Sequence, residues 1–469
     1  MDLNPPLPLS REAQSSTRWI YFAIVGICLA VVFCYIWRPW RPDLVAKYSY
    51  EQLLLNPSER HGLRGGNKTI KLGILHSLTG VMAVSEKPMV DAELMAVEEI
   101  NQKTANTDGG ILGAKVEAIV ADGRSDPAVF AAEAERLIST EKVCAIVGCF
   151  STESRLAVRK VVEKHNHLLI YPQSYEGFEI STNIIYTGAA PNQRIGPAIR
   201  WSFDNLGKQF FFVGSDDPSQ GATDEIGIDD IIHEEIRSIG GFPLGENYIP
   251  LQGTNVPVVI SRIMANLQRT RPDVIVSAVE GDSNVAFFKA LHEAGITNPV
   301  VSISLGEDEL RKIPAGEIAG DYVAASYFQN LDRPENHEFV ARFKQRYGQN
   351  RSTSDAIETA YFSVLLWKQA VAERGSDRVK DIRRNLLNQS LDAPEGVVSI
   401  DRETRYAWRS FSIGRIGTNG EIAVVWTARK PIRPLPLNHR GSLEDYETLR
   451  ELRKMAVEDY TMPFDEAEP

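Results

Sequence analysis

From Thr69 onward, short apolar runs alternate with amphipathic stretches, and no other feature of the chain restricts its fold as sharply. TIKLGILHSL reads as a strand, DAELMAVEEINQ as a helix, AKVEAIVAD as a strand and AVFAAEAERLIST as a helix. VCAIVGCF, SRLAVRKVVEKH and HLLIYPQ continue as strand, helix and strand. Strands that are apolar throughout are buried on both faces, and 3.6-period helices between them are the crossovers of βαβ units. After Thr187 the rhythm restarts with QFFFVGSD, a helix through IIHEEIRSIG, ENYIPL, a helix through ISRIMANLQ, DVIVSAVE, the helix AFFKALHEAG and PVVSISL. The pattern predicts an α/β chain of two successive lobes, each with a parallel sheet. Beyond Tyr322 it predicts two amphipathic helices (HEFVARFKQRYG and AIETAYFSVLLWKQAVAE), then a hairpin-like pair, GVVSIDRETRYAWRSFSIGRI and GEIAVVW. The tail from Pro431, including LEDYETLRELRKMAVEDY, reads as an exposed helix.

At 469 residues the chain exceeds one ordinary domain, and its 43% hydrophobic content allows large cores. A net charge of -11 argues against nucleic acid, which demands clustered Lys and Arg. Near the N-terminus, Trp19 to Trp37 carries no charge and is closed by Arg18 and Arg38. That length suffices for one transmembrane helix, with aromatic residues at both rims. No A-x-A-like site precedes Arg38, so an uncleaved anchor is expected rather than a signal peptide. Cys144 and Cys149 on one strand stand ~17 Å apart, too far for a disulfide.

In open α/β sheets, ligands bind outside the carboxyl ends of the strands. The segments to read are therefore His76–Gly80, Phe150–Ser154, Tyr171–Glu176, Ser215–Asp217, Glu280–Asn284 and Ser304–Glu307. Enzyme readings fail there one by one. The turn G-C-F-S-T-E-S lacks the second glycine of a nucleophile elbow. No G-x-x-x-x-G-K-[ST] occurs, and no G-x-G-x-x-G follows the first strand. Metal-ligand spacings are absent and the eight His are scattered. Binding without chemistry, and without a cofactor, is what remains. Ser151 or Thr152 is placed to cap the following helix, while Phe150, Tyr171 and Tyr175 supply aromatic walls for a small pocket.

GILHSLTGVMAVSE, VGCFSTESRLAV, LIYPQSYEGFE, YTGAAPNQ, GDSNVAFFKAL and LDAPEG resemble the type I periplasmic binding-protein family. Within it they are most similar to the urea-binding component of urea ABC transporters and the related short-chain amide-binding regulator. The likeness covers about Thr69 to Leu435. It implies two Rossmann-like lobes joined by three hinge crossings, closing over a small polar ligand. Phe150 and Thr152 match the aromatic and hydroxyl positions of the amide pocket, Tyr171 a pocket tyrosine, and Gln173 a position held by a hydroxyl residue in the amide-binding relative. Ser215 and Asp216 match a G-S-D strand end, and Gly281, Asp282, Ser283 and Asn284 a G-D-S-N loop. The chain departs from the usual G-S-D-Y by reading G-S-D-D, which removes an aromatic, adds Asp217 and widens the expected ligand to a larger or amine-bearing one. A urea or amide ligand wants acceptors, for which Asp216, Glu280 and Asp282 are placed, and a donor near Thr152. An α-amino acid would also want a carboxylate grip; no Arg stands at these strand ends, and helix N-terminal amides would have to supply it.

The expected organisation is an N-terminal flank (1–18), an anchor (19–37), a linker (38–67), lobe 1 (68–187 and 329–390), lobe 2 (188–328 and 391–435) and a tail (436–469). The resemblance implies a membrane-anchored, extracytoplasmic protein that captures urea or a short amide for an ABC permease. The alternative is a ligand sensor of the same fold acting on a regulator.

Overall fold

The computed structural model describes residues 69–103, 109–174, 176–177, 179, 181–216, 227–250 and 256–436. The expected flank, anchor and linker, all but the first residue of the tail, and Tyr175 and Asp217 lie outside these residues. Among the described residues, no helix is long and apolar enough to cross a membrane.

The first sheet contains β1 (Thr69–His76), β2 (Lys115–Asp122), β3 (Ile146–Gly148), β4 (Leu169–Tyr171) and β5 (Ile184–Tyr186), all parallel in the order β2-β1-β3-β4-β5. Strand side chains alternate between its faces, and so do the cores. Ile70, Leu72, Val147, Ile170 and Ile185 enter one core, which receives Ala92, Met95 and Ala96 of α1 (Ala83–Asn101). Leu75, Ile146, Leu169, Tyr171 and Ile184 enter the other, against Phe130 and Ala134 of α2 (Pro127–Arg136) and Val158 and Val162 of α3 (Thr152–Lys164). Each large apolar side chain so enclosed contributes about 1.5–3 kcal/mol.

The second lobe repeats the plan. Helices α4 (Pro191–Asn205), α5 (Ile228–Ser238), α6 (Val256–Thr270) and α7 (Ser283–Glu293), with the short α8 (Glu307–Leu310) and α9 (Ala315–Ile318), connect β6 (Gln209–Ser215), β7 (Phe242–Ile249), β8 (Val274–Ala278), β9 (Val300–Ser302) and β10 (Tyr322–Ala325). Phe211, Val213 and Ile275 face α6 and α7, whereas Phe210, Phe212, Val274 and Val276 face α4 and α5. The chain then returns to the first core through α10 (Pro334–Tyr347), α11 (Asp355–Arg374) and α12 (Val379–Leu386). A small antiparallel sheet of β11 (Ser390–Ala393), β12 (Gly396–Ile400) and β13 (Ala407–Trp408) follows. Finally β14 (Ser412–Ile416) and β15 (Ile422–Thr427) extend the second sheet to seven strands, ordered β15-β14-β10-β9-β8-β6-β7. Ala393, Val398, Ile400 and Ala407 pack in the first core and Ile413 in a core of the second lobe. The last passage between lobes therefore lies near residues 409–411, not at 390/391, because the alternating apolar side chains of β12 face α11's side of the molecule.

Both sheets reverse their strand order once, between β1 and β3 and between β6 and β8. Such reversals leave a crevice at the strand ends, which is where α/β folds bind ligands.

One buried side chain ties the passages together. Arg409, in the third passage, donates from Nη1 to the Thr187 carbonyl of the first (2.8 Å) and from Nη2 to Asp355 Oδ1 (2.6 Å). Asp355 in turn accepts from the Ser326 amide of the second passage at 3.2 Å. Glu395 meets the guanidinium at 2.8 Å and 2.5 Å. Burial opposes the charge on Arg409, but the neighbouring carboxylates outweigh it and hold the group firmly protonated. Removing one member of a buried ion cluster leaves the others uncompensated, at a cost of about 3–5 kcal/mol. Arg409→Met is thus expected to lower the unfolding free energy of the full-length protein by that amount in urea denaturation. A loss below about 1 kcal/mol, the range of exposed ion pairs, would mean that the passages do not depend on this clamp.

Candidate functional site

The end of β1 is rigid for an electrostatic reason. His76 is fully buried between Glu86 (Nδ1 to Oε2, 3.0 Å) and Glu93 (Nε2 to Oε1, 3.0 Å), and Glu86 also accepts from the Ser77 amide at 2.9 Å. Burial alone would lower the imidazole pKa, yet Glu93 and Glu86 override it and push it up to about 10. Beyond it, Asp122 at the end of β2 accepts from the Leu78 and Thr79 amides and from the Thr79 hydroxyl. Backbone geometry arranges the end of β3. There Gly148 has φ +152°, with a Cβ position only 2.0 Å from the Leu75 carbonyl, and Cys149 follows in the left-handed region at φ +69°. Only glycine fits the first position. This bend delivers Phe150, Ser151 and Thr152 to the start of α3. Ser151 is the N-cap, accepting from the Ser154 amide at 3.2 Å, as its residue type predicts.

The remaining first-lobe candidates are more committed than their sequence positions suggest. Thr152 donates its hydroxyl to Glu176 (2.8 Å), which also receives Arg155 at 2.7 Å. Tyr171 is wholly buried, donates to the Phe150 carbonyl at 2.6 Å and lies 5.1 Å beneath the Arg155 guanidinium. It supports the loop from behind, with its hydroxyl committed to the Phe150 carbonyl. The reason is periodicity: β4 alternates, and Tyr171 shares the face of Leu169, toward α2 and α3. Phe150 is 9% exposed and packs with Met82, Met89 and Ala360. Gln173 accepts from the Ser174 amide through Oε1 at 2.9 Å.

On the second lobe, Ser215 Oγ accepts from the Glu280 amide at 3.0 Å and so ties the ends of β6 and β8 together. Asp216 binds the Ile249 carbonyl through its amide and exposes its side chain. Asp282 is exposed and pairs with Lys312 at 3.2 Å. Ser283 is buried and donates to the Pro250 carbonyl at 3.4 Å. Its neighbour Asn284 donates to the Val279 carbonyl (2.7 Å) and to Glu309 (3.1 Å).

The lobes meet through Glu307, which closes the strand-end segment Ser304–Glu307, and through Ser85, Glu309 and Arg194, which strand-end reasoning missed. Ser85 of α1 donates to Glu309 of α8 at 2.9 Å, and Glu307 accepts from the Gln329 amide at 2.7 Å. Burial pushes both glutamate pKa values up to about 8, with the Asp308 charge adding to the effect at each. Arg194, in the first turn of α4, donates across the junction to the Ser174 hydroxyl beyond β4. The A-P-N-Q start, with proline as first helical residue, and the spacing of Ile195, Ala198, Ile199 and Ser202 are the signals that reveal α4 and with it Arg194. A cavity of about 550 Å³ opens at the edge of the junction, where Leu78, Lys87 and Asp91 face Asp308 and Arg351. Of the strand-end segments it includes Leu78, just beyond β1, while neither Phe150 nor Ser215 lines it. Asp355, Glu358 and Glu395 converge closely enough to hold a metal ion, but the Arg409 guanidinium already fills that cup.

Residues 70–442 match the family described as periplasmic binding protein domain. The Leu/Ile/Val-binding protein homolog 7 of Brucella suis biovar 1 is 23% identical over 354 residues, covering 71% of this chain and 83% of that protein. A limonene hydroxylase of Geobacillus stearothermophilus is 34% identical over 119 residues, but the match spans only 22% of that protein and 25% of this chain. A solute binding protein of an ABC transporter from Rhodopseudomonas palustris BisB5, in complex with 3,4-dihydroxybenzoic acid, superposes with a TM-score of 0.67. It is 20% identical, and the alignment covers 76% of this chain and 97% of that one. The two-lobed fold, its hinge and the family match over most of the chain agree: the chain belongs to the periplasmic binding protein family.

Proposed function

We propose that this protein is an extracytoplasmic solute-binding protein, anchored by the apolar segment Trp19–Trp37, that closes on a small polar ligand and presents it to an ABC permease. The observation that carries this reading is the meeting of the lobes at their strand ends. Arg194 reaches Ser174 beyond β4, and Ser85 reaches Glu309 beside the Glu280–Asn284 loop. A ligand placed between the β1/β3 and β6/β8 crevices would touch both lobes and favour the closed arrangement, a hinge motion paid for by ligand contacts. Two ligand chemistries have support. The G-D-S-N and C-F-S-T motifs favour urea or a short amide. The relative named for Leu/Ile/Val and the structure holding 3,4-dihydroxybenzoic acid favour a small acid.

The test is a thermal-shift panel on the full-length protein in mild detergent, with urea, acetamide, leucine, isoleucine and 3,4-dihydroxybenzoate. A ligand at 100 times its Kd stabilises the native state by about 2.7 kcal/mol. At least one member is expected to raise Tm at millimolar concentration; no shift with any of them would overturn the proposal.

Closure is also expected to take up protons. Glu309 titrates near 8 in the joined lobes, chiefly because it is buried, whereas a solvated carboxyl in separated lobes returns to the ordinary 4.5. A raised acid favours the joined state fully at low pH, and this advantage is lost as pH rises from about 4.5 to about 8, then levels off. Affinity for the panel member giving the largest shift should fall across that window by up to about tenfold per pH unit per group. Glu309→Gln preserves an acceptor for Ser85 and should flatten the calorimetric profile; an unchanged slope would remove Glu309 from the coupling.

A further inference from the structure

We infer that Arg194 is the specificity-determining residue of the cleft and that it selects ligands bearing a carboxylate. This rests on the solute-binding reading above and narrows its ligand class.

The side chain is held in place before any ligand arrives. Gln193, the preceding residue, is fully buried and donates to the Ala407 and Ile432 carbonyls, while its Oε1 accepts from the Ala190 amide that opens α4. Arg194 therefore leaves a helix turn fastened to the hinge, and its Nη2 crosses to Ser174 of the first lobe. It is fixed at the base, spans the junction and carries further donors in a planar fork.

Its charge is unlike those of the neighbouring buried arginines. Arg155 is met by Glu176 and Glu179, and Arg409 by Glu395 and Asp355. Arg194 has no carboxylate within ion-pair distance among the described residues; its bond there is to a neutral hydroxyl. Asp355 and Glu280 act on it only from farther away, and the charge of Arg409 opposes it. Burial consequently disfavours its protonated form, and a cation held by one neutral hydroxyl regains only part of its lost hydration. A carboxylate entering the junction would settle that charge through two parallel N–H···O bonds, a geometry that guanidinium groups match and that roughly doubles the strength of a neutral bond. Urea or an amide would offer one neutral oxygen and leave the cation uncompensated. The energetic gain from a ligand is therefore largest for an acid.

The experiment compares acids with their own amides by titration calorimetry on the full-length protein in detergent: leucine against leucinamide, and 3,4-dihydroxybenzoate against 3,4-dihydroxybenzamide, with urea as a neutral probe. The two pairs separate an amino acid from an aromatic acid as the source of the carboxylate. The native protein should bind one acid at least about tenfold more tightly than its amide, and Arg194→Gln should weaken that acid about 10- to 100-fold and the amide by a clearly smaller factor, so that the acid-over-amide preference collapses. Arg194→Lys, which keeps the charge and loses the fork, should fall between. Acid binding unaffected in a folded Arg194→Gln protein would overturn the role of Arg194 and leave the solute-binding reading intact. Tighter binding of urea or an amide than of either acid by the native protein would overturn the carboxylate assignment, and this comparison needs no variant to fold. Binding of none of the probes would overturn both readings together.

Discussion

Arg409 is the point on which the two lobes depend. A periplasmic binding fold must pass its chain between lobes at several places and still keep them in a defined relation. Here one guanidinium bonds the first passage at Thr187, reaches the second through Asp355 and Ser326, and belongs to the third. Glu358 and Glu395 complete the cup, and burial together with the charge of Glu395 favours the protonated form of Glu358. The arrangement suits a hinge. The charges are buried and directional, so they hold the three segments side by side, whereas apolar packing alone would let the segments slide.

The same principle recurs around the crevices. His76 between two glutamates stiffens the end of β1, and Arg155 between two others stiffens the start of α3. Buried charge thus holds the walls. Glu309 and Arg194 differ from these wall groups because each spans from one lobe to the other. Their bonds join the two lobes, which places both to couple protonation or ligand charge to closure.

The fold was largely legible because β1, β3, β6 and β8 are apolar on both faces, and such strands belong only to covered parallel sheets. Ser151 was legible as a cap for an equally local reason. Other features were not local. The third passage escaped because the two-residue period of β12 says which side chains are inward without saying inward to which lobe. Tyr171 lies at a strand end by position but beneath it by orientation, a distinction of one residue in register. Asp282 turned outward to Lys312, a partner 30 positions away. Arg194 was missed because α4 sits between the two rhythms and strand ends were searched instead of the helix that follows the first passage.

The central claim is that ligand binding joins the lobes across the strand-end crevices. The direct measurement is a spin-label distance in the full-length protein between Lys160→Cys on α3 and Lys289→Cys on α7, both exposed. Cys28 and Cys34 are replaced by Ala, and the buried Cys144 and Cys149 are retained. Saturating leucine or 3,4-dihydroxybenzoate, whichever calorimetry shows to bind, should shorten and narrow the distance distribution. An identical distribution with and without the bound ligand would contradict closure and the account built on it.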